Sequence, residues 1–184
     1  MSYLRYKEIL LQIARDAIAY GLEHGRAPRI EISGFPEALR ETAATFVTLT
    51  INGQLRGCIG TLQAYQPLAA DVAEHAYAAA FRDPRFPALR ANELAHLEIH
   101  ISVLTPAEPM QFDSEEDLIR QMQPGEDGLI LEDLGRKGTF LPSVWESLPT
   151  PKDFLQHLKI KAGLPEDYWS DTLKVYRYRT ESIG

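Results

Sequence analysis

The sequence predicts an α+β fold, a largely antiparallel sheet with flanking helices. Three observations carry this. Alternating, β-branched segments recur along the chain, one pair of them joined by Asn52-Gly53, the strongest short hairpin signal because a type I′ turn needs positive φ at both central residues. Segments with helical apolar spacing are interspersed among them. No repeat, low-complexity tract or linker divides the 184 residues, and that length suits a single domain over 1–184.

The elements follow in order. From Lys7 to Glu23, the residues Ile9, Leu10, Ile13, Ala14, Ala17, Ile18 and Leu22 recur at helical spacing, and Gly25 ends the helix. Residues 26–40 contain Pro28, Gly34 and Pro36 and read as a connecting loop. TFVTLTI and QLRGCIG are the two strands of the Asn-Gly hairpin. Pro67 suits the first position of a helix, PLAADVAEHAYAAAF, which the loop RDPRFPAL breaks. LEIHISVL is a strand with Leu97, Ile99, Ile101 and Val103 on one face. Ser114 caps a short helix. GLILE, a turn from Asp133 to Gly138, and TFL form a second hairpin. Thr150-Pro151 opens a helix that Gly163 closes, and TLKVYRYRT is a final strand.

Composition narrows the function classes. The formal net charge of −7 argues against a nucleic-acid coat, which needs a basic face. YRYRT, despite its mixed aromatics and arginines, reads as strand alternation. A single cysteine excludes an internal disulfide framework and a cysteine-rich zinc site, and a free thiol favours the cytoplasm. The first residues show no signal-peptide pattern, and no apolar run is long enough to span a bilayer. No nucleotide loop, zinc signature or serine-triad motif names a cofactor or a reaction. His96 and His100, four apart on a strand, stand too far apart to chelate a metal easily.

The first hairpin holds the candidate site. With a two-residue loop and unbroken alternation, Leu49 opposes Arg56 and Val47 opposes Cys58, so Arg56 and Cys58 share a face across Gly57. A guanidinium beside a thiol favours the thiolate. Gly57 and Gly60 let another backbone or a ligand approach closely. Cys58 has two readings: a small core hydrophobe beside Val47, Leu49 and Ile51, or a reactive thiol. Arg56 fits the second better, because a core-facing arginine needs a partner or a wet cleft. In the DPRF loop, Arg85 is either a second anion-holding cation or the pairing partner of a turn-capping Asp83. His75 and His100 are surface or half-buried residues before they are bases for Cys58. Lys161 complements a helix dipole.

FVTLTINGQLRGCIGTL, AAAFRDPRFPAL, ELAHLEIHISVLTPAE, GLILE with GTFLPSVWE, and DFLQHLKIKAGLP followed by Trp169 together resemble the AMMECR family, whose prokaryotic relatives are called AmmeMemoRadiSam system protein A. The resemblance runs over roughly residues 5 to 182. It implies a compact α+β fold with two unequal lobes and no separable linker. It also implies a functional centre at LRGCIG, matched here by Arg56, Gly57, Cys58 and Gly60, and association with Memo-like and radical-SAM proteins. The family carries no settled activity, so an enzyme-like component acting on a small anionic or protein-bound substrate stands beside a non-catalytic adaptor. Relatives often carry a second cysteine where this chain has Lys159, which speaks against a two-cysteine redox or metal mechanism.

Overall fold

The computed structural model describes residues 2–184. It is α+β, with two antiparallel four-stranded sheets and helices beside them. The chain divides into two compact units, residues 2–105 with Glu181–Gly184, and Pro106–Thr180.

In the first unit the helices α1 (Lys7–His24) and α3 (Leu68–Phe81) pack on one face of a sheet ordered β2-β1-β3-β8. Its strands are β1 (Ala44–Ile51), β2 (Gln54–Gly60), β3 (Glu98–Leu104) and β8 (Thr180–Ile183). Alternation sorts the side chains. Val47 and Leu49 of β1 join Ile99, Ile101 and Val103 of β3 in the core with α1 and α3, while Thr48, Thr50, His100 and Ser102 lie half-buried on the other face. Full burial of each such aliphatic side chain contributes about 2 kcal/mol. The alanines of α3 permit close approach to α1, where a Cβ at Gly21 would meet the Tyr77 and Phe81 rings. Gly25 ends α1 at φ 69°, as its position in the sequence suggests.

The stretch 26–40 is more than a connecting loop. It contains a 3-10 turn at Ile32–Gly34 and the four-residue helix α2 (Glu37–Arg40). Leu39 is fully buried there, so a local apolar anchor organises a segment whose prolines and glycine suggested none.

The second unit has a sheet ordered β4-β7-β5-β6, with β4 (Glu108–Pro109), β5 (Gly128–Asp133), β6 (Arg136–Phe140) and β7 (Lys174–Tyr178). The helices α4 (Glu115–Gln121) and α5 (Pro151–Lys161) complete it. Phe154 of α5 stacks on Trp145 with centroids 3.9 Å apart, amid Leu129, Leu131 and Val175. Ser114 and Thr150 cap the two helices, accepting the backbone N–H of Asp117 and Asp153 respectively. The β5–β6 turn is tighter than expected: it is Leu134-Gly135, and β6 begins at Arg136. The expected final strand, residues 172–180, is shorter: it is β7, ending at Tyr178, and a further strand, β8, starts at Thr180 and serves the other sheet.

Candidate functional site

The β1–β2 turn has φ of 53° at Asn52 and 76° at Gly53, the expected positive pair. Beyond it the register corrects the simple count. Ile51 faces Gln54 and Thr50 faces Leu55, but Leu49 then faces Gly57 and Thr48 faces Cys58. Arg56 is the extra residue of a β-bulge. The expected side-by-side display of Arg56 and Cys58 rested on an unbroken alternation that the bulge interrupts.

The bulge moves Cys58 to the face opposite Val47 and Leu49. Its thiol is half-buried and shares a hydrogen bond with the Thr48 hydroxyl at 3.2 Å. Across β1, Thr48 pairs in turn with His100 of β3. Cys58, Thr48 and His100 therefore form one cross-strand row. Two strand spacings, roughly 10 Å, separate its ends, so the hydroxyl and not the imidazole touches the thiol. Burial pushes the His100 imidazole below its ordinary value, towards the neutral form.

Arg56 is bound into the fold. Its Nε donates to Glu93 Oε2 at 2.8 Å, and its Nη2 donates to Glu93 Oε1 at 3.2 Å and to the Pro87 carbonyl at 2.9 Å. This two-pronged pair holds the Glu93 carboxyl below its ordinary range. Arg56 is only 9% exposed, and its Nη1 is buried without a hydrogen-bond partner.

The glycines also serve the fold. A Cβ at Gly57 would lie 2.0 Å from the Ala79 carbonyl oxygen of α3, and one at Gly60 would lie 2.3 Å from the Thr45 carbonyl oxygen. Of the two visitors expected at these positions, a backbone occupies both.

The DPRF loop reaches the strand. Asp83, 4% exposed, accepts the Cys58 backbone N–H on Oδ2 at 3.0 Å. That N–H belongs to an edge strand, so without Asp83 it would lack a sheet partner. The same carboxylate accepts the Arg85 backbone N–H, its Nε at 3.0 Å and its Nη2 at 2.8 Å. Asp83 is thus a turn cap paired with Arg85, and it also clamps Cys58. The Arg85 guanidinium, first among these partners, holds the Asp83 carboxyl well below the usual carboxylate range. Arg85 is itself held above its ordinary value, first by Asp83 and more weakly by the nearby Cys58 side chain. The Arg85 side chain is 56% exposed and lies over the Phe86 ring. Arg85 is therefore the cation of this loop that still reaches solvent, tied to Cys58 through Asp83.

His75 is neither superficial nor half-buried. It is 3% exposed, with Nδ1 3.1 Å from Asp71 Oδ2 and 3.0 Å from the Thr45 hydroxyl. Lys161 donates to the Thr139 carbonyl at 2.7 Å. Lys159 is fully buried and donates to Glu115 Oε1 at 2.8 Å. Sequence reasoning missed Glu93, Thr48 and Ala79. Thr48 follows once the bulge is allowed for, whereas Glu93 and Ala79 act through tertiary contacts that leave no local pattern.

The AMMECR1 family model matches residues 11–183. The chain belongs to the AMMECR1 family. Similar AMMECR1-type proteins include one from Methanothermobacter thermautotrophicus, 36% identical over 94% of this chain and 90% of its own. Another, from Thermococcus gammatolerans, is 39% identical over 95% of this chain and 87% of its own. The crystal structure of an uncharacterised protein from Pyrococcus horikoshii superposes with a TM-score of 0.88 at 34% identity, covering 97% of this chain and 90% of that one. Among the described residues of this AMMECR1 chain, no helix is long and apolar enough to cross a membrane.

Proposed function

We propose that the protein is an enzyme-like component whose Cys58 thiol is the reacting group towards a small anionic or protein-bound substrate. One arrangement supports this reading: Asp83 Oδ2 accepts both the Cys58 backbone N–H and the exposed Arg85 guanidinium, which ties a solvent-reaching cation to the residue that carries the half-buried thiol. A nearby cation favours the thiolate, and the Thr48 hydroxyl can donate to it. In this reading Cys58 is the nucleophile, Arg85 anchors the substrate's negative charge, and Asp83 positions both. Arg56, Gly57 and Gly60 hold the strand in shape. The test is the rate of Cys58 alkylation by iodoacetamide at neutral pH. A rate above that of free cysteine is expected, falling in Arg85→Ala. A rate at or below that of free cysteine, or one that Arg85→Ala leaves unchanged, overturns the reading.

A second reading is a non-catalytic adaptor. It is favoured by the structural commitment of Arg56 and both glycines, which leaves a smaller reactive set than the motif suggests. Here the DPRF loop and the hairpin recognise a protein, and the Memo-like and radical-SAM proteins implied by the resemblance are the partners to try. Binding of a purified partner that survives Cys58→Ala but not Arg85→Glu supports the adaptor, and the reverse pattern supports the thiol.

A further inference from the structure

The loop that leaves α3 carries more positive charge than the site around Cys58 uses. From His75 to Asn92 the only acidic side chain is Asp83, in a chain with 26 acidic residues and a net charge of −7. Asp83 is buried against the Cys58 backbone and Arg85. Glu93, the next carboxylate along the chain, lies in the Arg56 fork, and Arg90 acts on it only as a weaker, longer-range charge. Arg82 and Arg90 are exposed, and among the described residues neither forms an ion pair. Arg85 commits Nε and Nη2 to Asp83 and keeps Nη1. The segment therefore presents three guanidinium groups, and its one carboxylate is already taken.

The loop is also held in shape. Leu89 is 4% exposed, and its N–H donates to the Ala80 carbonyl at 2.9 Å, which returns the chain to α3. The Phe86 N–H donates to the Asp83 carbonyl at 3.1 Å, and the Pro87 carbonyl accepts from Arg56 at 2.9 Å. The Phe86 ring centre lies 5.4 Å from the Arg85 guanidinium and 6.0 Å from that of Arg56. Between these anchors Pro84, Pro87 and Ala88 are exposed. A surface already held in one conformation loses little freedom on binding. Arginines around an apolar centre are recurrent interface anchors.

We infer that this loop docks an acidic segment of a partner protein, with the segment's carboxylates on Arg82, Arg85 and Arg90 and an apolar side chain against Pro84 and Pro87. Planar guanidinium forks match carboxylates in two-pronged pairs. The acidic balance of the rest of the chain disfavours such a segment elsewhere, so charge selects where it lands. Nucleic acid fits less well, because phosphate binding needs a broader basic face than two uncompensated arginines supply. The inference rests on the adaptor reading for the role of the loop, names the partner's chemistry, and holds whether or not Cys58 reacts.

The test is an amide-resolved NMR titration of the full chain with a short synthetic peptide of glutamates around a central leucine. Saturable shifts centred on residues 82–92 are expected, with a Kd of about 100 μM or tighter. The double substitution Arg82→Glu with Arg90→Glu, checked by circular dichroism, is expected to weaken binding by more than about tenfold. Single Arg82→Gln and Arg90→Gln variants, each expected to weaken it several-fold, take its place if the double variant does not fold. A lysine peptide of the same length is expected to give no shifts. Absence of saturable shifts at about 2 mM glutamate peptide overturns the inference, as do shifts centred elsewhere or undiminished by the arginine substitutions. Tighter binding of oligouridylate at the same residues assigns the loop to nucleic acid and overturns it too. A purified partner that needs Arg85 but is indifferent to Arg82→Glu with Arg90→Glu overturns this inference and leaves the adaptor reading standing.

Discussion

Oδ2 of Asp83 lies 3.0 Å from the Cys58 backbone nitrogen, and one oxygen therefore ties the DPRF loop to the edge strand that presents the thiol. Asp83→Asn keeps the shape but replaces one acceptor oxygen with a donor and removes the charge facing Arg85. A loss of about 2 kcal/mol at neutral pH is expected, the scale for hydrogen bonds to a charged group. The sign of the pH dependence follows from the depressed carboxyl. The stabilisation is full above the unfolded carboxylate value of about 3.9 and falls as pH drops through the lower folded value. Urea unfolding at pH 7 and pH 3 checks this: the gap between parent and variant is expected to shrink at the lower pH.

Arg56 and Glu93 form a largely buried pair with side chains 11% and 26% exposed. Arg56→Ala leaves Glu93 without its cation and is expected to cost about 3–5 kcal/mol. Arg56→Lys keeps the charge but loses the fork, so it is expected to fall between. In the fraction that folds, Cys58 alkylation is expected to stay near the parent rate in Arg56→Lys and to slow in Arg85→Ala. Denaturation curves and alkylation rates on the same samples separate the two arginines' roles.

The elements legible in the sequence were those with a local cause. The Asn52-Gly53 turn, the Gly25 stop and the Ser114 and Thr150 caps follow from residue chemistry within a few positions. The site was legible as a set of residues and less so as a geometry. LRGCIG and DPRF do meet, through Asp83 and Cys58. The inserted residue at Arg56 was invisible, because its partners Glu93 and Pro87 lie far along the chain and leave no local pattern. One extra residue turns every later side chain to the opposite face. It therefore moved Cys58 from the Val47 face to the Thr48 face.

Gly57 tests the claim that the motif's glycines are structural. The added methyl of Gly57→Ala would sit 2.0 Å from a backbone carbonyl of α3, which cannot rotate away. Either β2 or α3 must shift, at an expected cost of about 3 kcal/mol or more. Gly53→Ala is a useful contrast: it has open space around it but sits at φ 76°. Its penalty is backbone strain alone, about 1 kcal/mol. Thermal melts of the two variants are expected to rank accordingly, and a Gly57→Ala protein as stable as Gly53→Ala would remove the packing explanation.

Lys159 is fully buried, with its ammonium on Glu115 and 5.8 Å from the centre of the Trp169 ring. Burial of a charge is costly unless the pair repays it, and apolar replacements of similar length are often neutral or better. Lys159→Met keeps the stem's volume, and Glu115, 36% exposed, can turn to water. The variant is expected to unfold within about 1 kcal/mol of the parent, or later. Lys159→Ala removes a fully buried stem beside Trp169 and is expected to lose about 2–4 kcal/mol. If Lys159→Met were as damaging as Lys159→Ala, the ammonium itself and not its stem would be what the second unit requires.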